Sequence, residues 1–391
     1  MNRPDSSLDE KGVSQNGDPG GHLTPLTHTH TAAATPKPTL LSALKKDAEV
    51  KKVFLAGKEY YSEEGKTFEL RLVGKIKQQL STDPTLRPEY PSSLGLEEFT
   101  RRATEVALGK SSRAILENRV LGVQTPGFTA AVRLGAELLK HWYNVNAAWC
   151  GPVYLSSPCD DSLASIFQAA GIQDIREYYY WDDKQRCICL EKIVEDLERA
   201  PEKSVVVLSA SAHYPTGADL SPNQWSAITQ LIKRRRLFPF FLLPAQAFCS
   251  GDLERDAWPV QYCTSQGLEL LCAQSFSHCF GLYGSPRVQK SPYYKLKLQG
   301  EVQRIVERCL LIRAILREKL RLLGTPGRWD HLTQQGGLFS CIGLNGQQVE
   351  FLLNSRHMYL LSSGCLNVSA INGGNVDYIA QSIHLALTTS L

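Results

Sequence analysis

Ser204-Val205-Val206-Val207-Leu208 is apolar without alternation, the pattern of a strand covered on both faces rather than one with a solvent side. Outward from it, strand-like runs recur at Val153-Tyr154-Leu155, Leu237 to Leu243 and Leu268 to Cys272. Each stands between stretches with helical spacing. Apolar residues repeat at helical intervals over Leu70 to Leu80, Leu96 to Leu108 and Ala130 to Trp142. The last of these reads through Ala131, Leu134, Leu138, Leu139 and Trp142. Trp225, Ile228, Leu231 and Ile232 mark a further helix, and Lys233-Arg234-Arg235-Arg236 suits its carbonyl end rather than a binding patch. Strands alternating with helices predict an α/β fold whose sheet is mainly parallel and carries helices on both faces.

Downstream the pattern changes. Glu301 to Leu323 carries one stripe (Val302, Ile305, Val306, Cys309, Ile312, Leu316, Leu320, Leu323) and stops at Gly324-Thr325-Pro326-Gly327, as a long helix with a sharp end does. Strand runs near Leu338 to Leu344 and Asn367 to Ala370, then a helix from Val376 to Leu387, predict a second, smaller α+β unit. The expected organisation is a tail over 1–38, a large domain over 68–301, and a small domain built from 39–67 and 302–391. The tail is rich in Ser, Thr, Gly, Pro and Asn. Such a segment cannot offset its own ordering entropy, so it is expected to be disordered.

Composition narrows the function. The 391 residues are 43% hydrophobic and 21% charged with a formal net charge of +4, a balance that predicts neither a nucleic-acid nor an acidic-membrane partner. Eleven cysteines lie without zinc or disulfide-framework spacing, so reduced thiols in a cytosolic protein are expected. Cys187-x-Cys189 is too close-spaced for a structural zinc pair, and His28-Thr29-His30 lacks a third partner. No metal site is expected. No apolar run is long enough to span a bilayer.

Several segments occur together in one order: Pro152-Val153-Tyr154-Leu155-Ser156-Ser157-Pro158, Ala212-His213-Tyr214-Pro215-Thr216-Gly217, Leu237-Phe238-Pro239-Phe240-Phe241, Ser250-Gly251-Asp252-Leu253-Glu254-Arg255-Asp256-Ala257-Trp258, Cys272-Ala273-Gln274-Ser275-Phe276-Ser277 and Gly364-Cys365-Leu366-Asn367-Val368-Ser369. In this the chain resembles the cytosolic aspartate aminotransferases from about Pro38 to the C-terminus, and most of all their divergent second cytoplasmic branch. The resemblance implies a fold-type-I pyridoxal-phosphate-dependent transferase. A seven-stranded sheet would hold pyridoxal 5'-phosphate at its carboxyl ends, and a homodimer would place the sites at the subunit interface.

The resemblance also assigns positions, and many carry the wrong side chain. The family's S-F-S-K-N-F-G reads Ser275-Phe276-Ser277-His278-Cys279-Phe280-Gly281 here, so the lysine position is His278. An imidazole could still act as a general base, but it has no primary amine to hold an aldehyde cofactor. Leu242 holds the position of the aspartate that pairs with the pyridinium nitrogen, and Ala245 that of a tyrosine on the ring oxygen. Tyr214 stands for that oxygen's asparagine, and Asp160 for the tryptophan that stacks on the ring. Leu163 and Ser209 match histidines behind the aspartate. Charge-assisted hydrogen bonds are worth about 1.5–3 kcal/mol each, so several losses together are expected to abolish tight cofactor binding.

The arginine that grips the substrate's α-carboxylate is Cys365, at best one weak donor. The arginine for the distal carboxylate lies in a family segment of several dozen residues for which this chain has only a short link between Arg287 and Glu301. Part of the large domain therefore looks deleted. Tyr90, Gly127, Thr129 and Ser275 fall on phosphate-contacting positions, Tyr90 across the dimer, and Arg287 stands near a phosphate-binding arginine with its register off by one. Phe128 and Ala130 add bulk to the loop that opens the next helix, and phosphate binding stays open.

His213 reads as a packed turn histidine, Pro215 shapes its loop as a candidate cis bond, and adjacent His278 and Cys279 point apart rather than forming a nucleophile pair. The functional expectation is an aspartate aminotransferase by descent (L-aspartate with 2-oxoglutarate) in degenerate form. The alternatives are a dimeric scaffold or regulatory protein, a residual transaminase using another lysine or non-covalent cofactor, and a non-catalytic phosphate or pyridoxal binder.

Overall fold

The computed structural model describes residues 40–67, 70–84, 92–144, 148–277 and 292–389. The expected tail with His28 and His30, and the residues Tyr90, His278, Cys279 and Arg287, lie outside the described residues.

In chain order the strands are β1 (Val53–Phe54), β2 (Val153–Ser157), β3 (Ile175–Tyr179), β4 (Trp181–Asp182), β5 (Cys187–Ile188), β6 (Val205–Ser209), β7 (Phe238–Leu243), β8 (Leu271–Gln274), β9 (Phe339–Cys341), β10 (Met358–Tyr359) and β11 (Cys365–Asn367). The central sheet runs β3-β2-β6-β7-β8, and every pairing in it is parallel. The unalternating run at Val205 is the middle strand, with four of its five residues buried. Five strands pair among the described residues, against the seven that the resemblance implies. The stretch from 278 to 291, where the link and the absent segment fall, lies outside them.

Strand alternation sends the apolar side chains to two cores. On one face Val206, Leu208, Phe241 and Leu243 meet Ile193 and Leu197, Trp225, Ile228, Leu231 and Ile232, and Ala257 and Val260. These come from the helices Leu190–Glu198, Pro222–Arg235 and Leu253–Ser265. Ser221 opens the helix Pro222–Arg235 with a reciprocal capping box to Gln224, and Arg236 closes it in the left-handed region. On the other face Val205, Val207, Phe240 and Leu242 meet Val132, Ala136 and Leu139 and the pair Leu163 and Phe167.

The helix Phe128–Trp142 corrects an expected face. It buries Val132, Gly135, Ala136 and Leu139, while Leu134, Leu138 and Trp142 are 44%, 47% and 76% exposed. Close approach explains the inversion: a Cβ on Gly135 would lie 2.5 Å from Phe240 Cζ. Only the small-residue side of this helix can reach the sheet.

A second core gathers Leu55, Ile312, Leu316, Leu320, Leu352, Leu366, Ile379 and Ile383. It joins the parallel pair β1 and β10, the antiparallel pair β9 and β11, and the helices Gly346–Arg356 and Val376–Thr388 to the long helix. That helix runs Pro292–Leu322 and so begins well before the expected Glu301, with a proline in its first turn. β8 starts three residues later than the apolar run suggests, because Leu268 belongs to the turn where its N–H donates to Cys263 O. The expected strand from Asn367 to Ala370 is instead a 3₁₀ turn, Val368–Ala370, which Asn367 caps by accepting from Ser369 N.

Among the described residues no helix is long and apolar enough to cross a membrane, and no group of His, Cys, Asp and Glu could hold a metal ion. Cys187 is exposed at the surface.

Candidate functional site

Parallel strands leave their carboxyl ends together, and ligands of open α/β sheets bind there. β2, β6 and β7 end at Ser157, Ser209 and Leu243, and beside those ends lies a cavity of about 110 Å³. Ser156, Val207, Ser209 and Leu242 line it from the strands, and Cys159, Asp160, Leu163, Ala212, Tyr214, Pro244 and Ala245 from the loops that follow. Phe128 reaches it from the start of its helix, Lys58 from the segment after β1, and Leu338 with Phe339 from β9 and its approach.

The structure thus brings together Asp160, Leu163, Ser209, Tyr214, Leu242 and Ala245, with Phe128. Leu242 is 7% exposed, and its side chain belongs to the apolar cluster under the helix Phe128–Trp142. Where the resemblance implies a carboxylate for a ring nitrogen, the wall offers methyl groups.

The charged residues of this lining are Lys58 and Asp160, and each holds the other. Lys58 Nζ donates to Asp160 Oδ2 at 2.5 Å and lies 4.9 Å from the centroid of the Tyr214 ring. Ser162 adds a backbone N–H and a hydroxyl to Asp160 Oδ1. Burial opposes ionisation of Asp160, yet the Lys58 ammonium and the Ser162 bonds outweigh it and hold the carboxyl below its ordinary value. Tyr214 is joined to Pro215 by a cis bond, as the sequence suggested. Its ring meets Phe339 edge-on at 4.7 Å, and burial raises its phenol well above the ordinary value.

Other positions stay outside the lining. Cys365 is fully buried in β11, directly opposite Cys341 of β9, with burial keeping its thiol protonated. It faces a cysteine where the resemblance implies a substrate arginine. Gly127 caps its helix at φ +97 with nothing within 4 Å of a built Cβ. Thr129 beside it is exposed. Ser275 is buried and its hydroxyl accepts from Ser277 N at 3.1 Å. His213 behaves as a packed turn histidine. It stacks on Tyr180 at 3.9 Å, and its Nδ1 and Nε2 lie 2.8 Å from Thr216 Oγ1 and 2.9 Å from Ser156 Oγ.

Sequence reading missed Lys58, Pro244, Leu338 and Phe339. Pro244 sits inside the stretch that supplied Leu242 and Ala245 and could have been found there. Lys58 and the pair Leu338-Phe339 lie far from it in the chain, and only folding brings them in.

The residues were also tested against the group that the resemblance implies. A pyridoxal ring needs an anionic partner for its nitrogen, donors for its ring oxygen and an amine to hold its aldehyde. The described lining gives Leu242, Ala245 and Tyr214, and its one lysine amine is engaged by Asp160. The site does not fit that group.

Comparisons with known proteins agree with the architecture. Residues 50–285 match the model of the family described as aminotransferase class I and II. The chain is 40% identical over 390 residues to the cytoplasmic aspartate aminotransferase of Gallus gallus, covering 89% of this chain and 95% of that one. It is 33% identical over 390 residues to a second cytoplasmic form of aspartate aminotransferase from Bos taurus, at 89% and 94% coverage. Among solved structures it superposes on an aromatic-amino-acid aminotransferase from Burkholderia pseudomallei, covalently bound to pyridoxal phosphate, with a TM-score of 0.85 and 26% identity. That match covers 94% of this chain and 100% of the other.

Proposed function

The chain belongs to the class I and II aminotransferase family, among relatives of the aspartate aminotransferases, and we propose that it is a degenerate member which no longer catalyses transamination. The family is pyridoxal-phosphate-dependent. The observation that carries the reading is the wall at the strand ends: Leu242, Pro244 and Ala245 stand where an ionic and hydrogen-bonded grip on a charged ring would be needed. Setting a protonated ring nitrogen against Leu242 leaves a buried charge unpaired, which costs several kcal/mol. His278 and Cys365 add to this from the sequence, the first lacking a primary amine and the second a guanidinium.

The same reading places the protein in the cytoplasm as a homodimer, dividing it into a large domain over 68–301 and a small one from 39–67 and 302–391. Support for a covered surface comes from the row Leu134, Leu138 and Trp142, apolar and exposed on one helix. The reading includes a deletion before the long helix. In support, the 390 aligned positions exceed the residues that 89% of this chain supplies, so the relatives carry residues without a counterpart here.

Incubation with pyridoxal phosphate, borohydride reduction and peptide mass spectrometry tests the proposal. The expected outcome is no stable adduct and no transamination of aspartate with 2-oxoglutarate above background. Lys58 is the amine to watch, because it lines the cavity. A stoichiometric adduct there, with turnover, would establish the residual transaminase instead.

A further inference from the structure

The cavity that does not fit a charged ring is still a ring-sized space whose wall is mostly apolar. An apolar cavity of roughly 150 Å³ lined by Leu, Ile and Phe stays dry and takes up benzene. The one here measures about 110 Å³, and Phe128, Leu163, Val207, Leu242, Pro244, Ala245, Leu338 and Phe339 supply its apolar walls. Its polar lining comes from Ser156, Ser209, Tyr214 and the Lys58–Asp160 pair. Small-molecule sites combine these two features, a large apolar wall and few polar groups that fix orientation.

From this we propose that the cavity binds an uncharged single-ring molecule carrying one hydroxyl or carbonyl, held under a clasp formed by Lys58 and Asp160. The proposal rests on the reading above, since a pyridoxal-loaded site would have no such room. Charge decides the ligand class. A carboxylate that pairs with Lys58 must break a 2.5 Å ion pair and then sit beside Asp160. A cation must displace Lys58. Either charge is also stripped of water against the hydrocarbon walls, which costs far more than moving an uncharged ring there. A hydroxyl or carbonyl asks only for one hydrogen bond from the polar groups of the lining, and the clasp stays intact. Lys58 comes from the segment after β1 and Asp160 from the loop after β2, so the clasp ties two distant parts of the chain together beside the cavity.

Phenol is the probe, with benzoate as the charged isostere and pyridoxal 5'-phosphate in parallel. Titrations followed by ligand-observed and protein NMR on the full chain give affinity and exchange rate. Phenol should bind in the millimolar range or tighter and at least 10-fold better than benzoate. Ala245→Phe, which fills the cavity, should weaken phenol at least 10-fold at unchanged circular dichroism. Lys58→Met, a change at a partly exposed residue, should speed phenol release several-fold. Equal affinity for phenol and benzoate would overturn the proposal, as would phenol binding untouched by Ala245→Phe. If Ala245→Phe fails to fold, an unaltered release rate in Lys58→Met overturns it. A pyridoxal adduct would instead overturn the reading on which the proposal rests, so the two failures are told apart.

Discussion

Acid should destabilise this fold chiefly through His213. The imidazole is fully buried, its two nitrogens are taken by Thr216 and Ser156, and Tyr180 stacks on its face. Burial lowers its pKa from 6.5 to about 3. The sign follows directly: the folded chain keeps His213 neutral where the unfolded chain would protonate it. The contribution to stability is complete above pH 6.5 and is lost as pH falls toward 3. At about 1.4 kcal/mol per pKa step this amounts to roughly 5 kcal/mol in all, with more than half gone by pH 4. Against a typical total of about 5–15 kcal/mol, that loss is a large share of the stability. His331 is lowered to about 4, mainly by burial and then by Arg186, and acts in the same window. The assay is urea unfolding at steps from pH 7.5 to 4.5, comparing the wild type with His213→Gln. The variant is less stable at neutral pH, and the gap should close as pH falls. Parallel curves at all pH values would refute the assignment.

Gly135→Ala should destabilise by about 1–3 kcal/mol, because the new methyl meets the Phe240 ring at 2.5 Å; a gain in urea midpoint, as helix propensity alone predicts, would contradict the packing. Arg313→Met should cost roughly 2–4 kcal/mol in urea unfolding, since it strands carbonyls that the buried guanidinium now satisfies. A mild thiol oxidant such as diamide should leave Cys341 and Cys365 unlinked in the folded protein, because both are fully buried and burial keeps the Cys365 thiol protonated. They sit opposite each other in neighbouring antiparallel strands, at a separation that cross-strand pairs share with disulfides. A non-reducing digest that finds the Cys341–Cys365 disulfide after brief exposure at neutral pH would contradict that protection.

The sheet was legible because β6 and β7 are buried on both faces, and continuous apolar runs carry that information directly. The face of the helix Phe128–Trp142 was not. Hydrophobic size pointed to Leu134, Leu138 and Trp142, while the need for close approach at Gly135 turned the helix the other way. Half of the candidate site was similarly readable. Asp160, Tyr214, Leu242 and Ala245 were found through the family resemblance, carried by segments at and just after the strand ends. Lys58 and Phe339 reach the same space from remote segments, and no local pattern signals a contact across more than 100 residues of chain. The buried Arg313 was also invisible, because its partners are backbone oxygens that any sequence possesses.

Arg313 leaves the long helix and is fully buried, with hydrogen bonds to Gly336 O at 3.0 Å, Gly337 O at 3.1 Å and Phe339 O at 2.6 Å. The backbone that carries Leu338 and Phe339 is therefore anchored to the long helix, since moving it would abandon a guanidinium without water. Lys58 and Asp160 of the same lining are instead partly wet and weakly bound, so theirs is the contact that can yield. Salt, which loosens solvent-exposed ion pairs and leaves buried hydrogen bonds alone, should work as the latch.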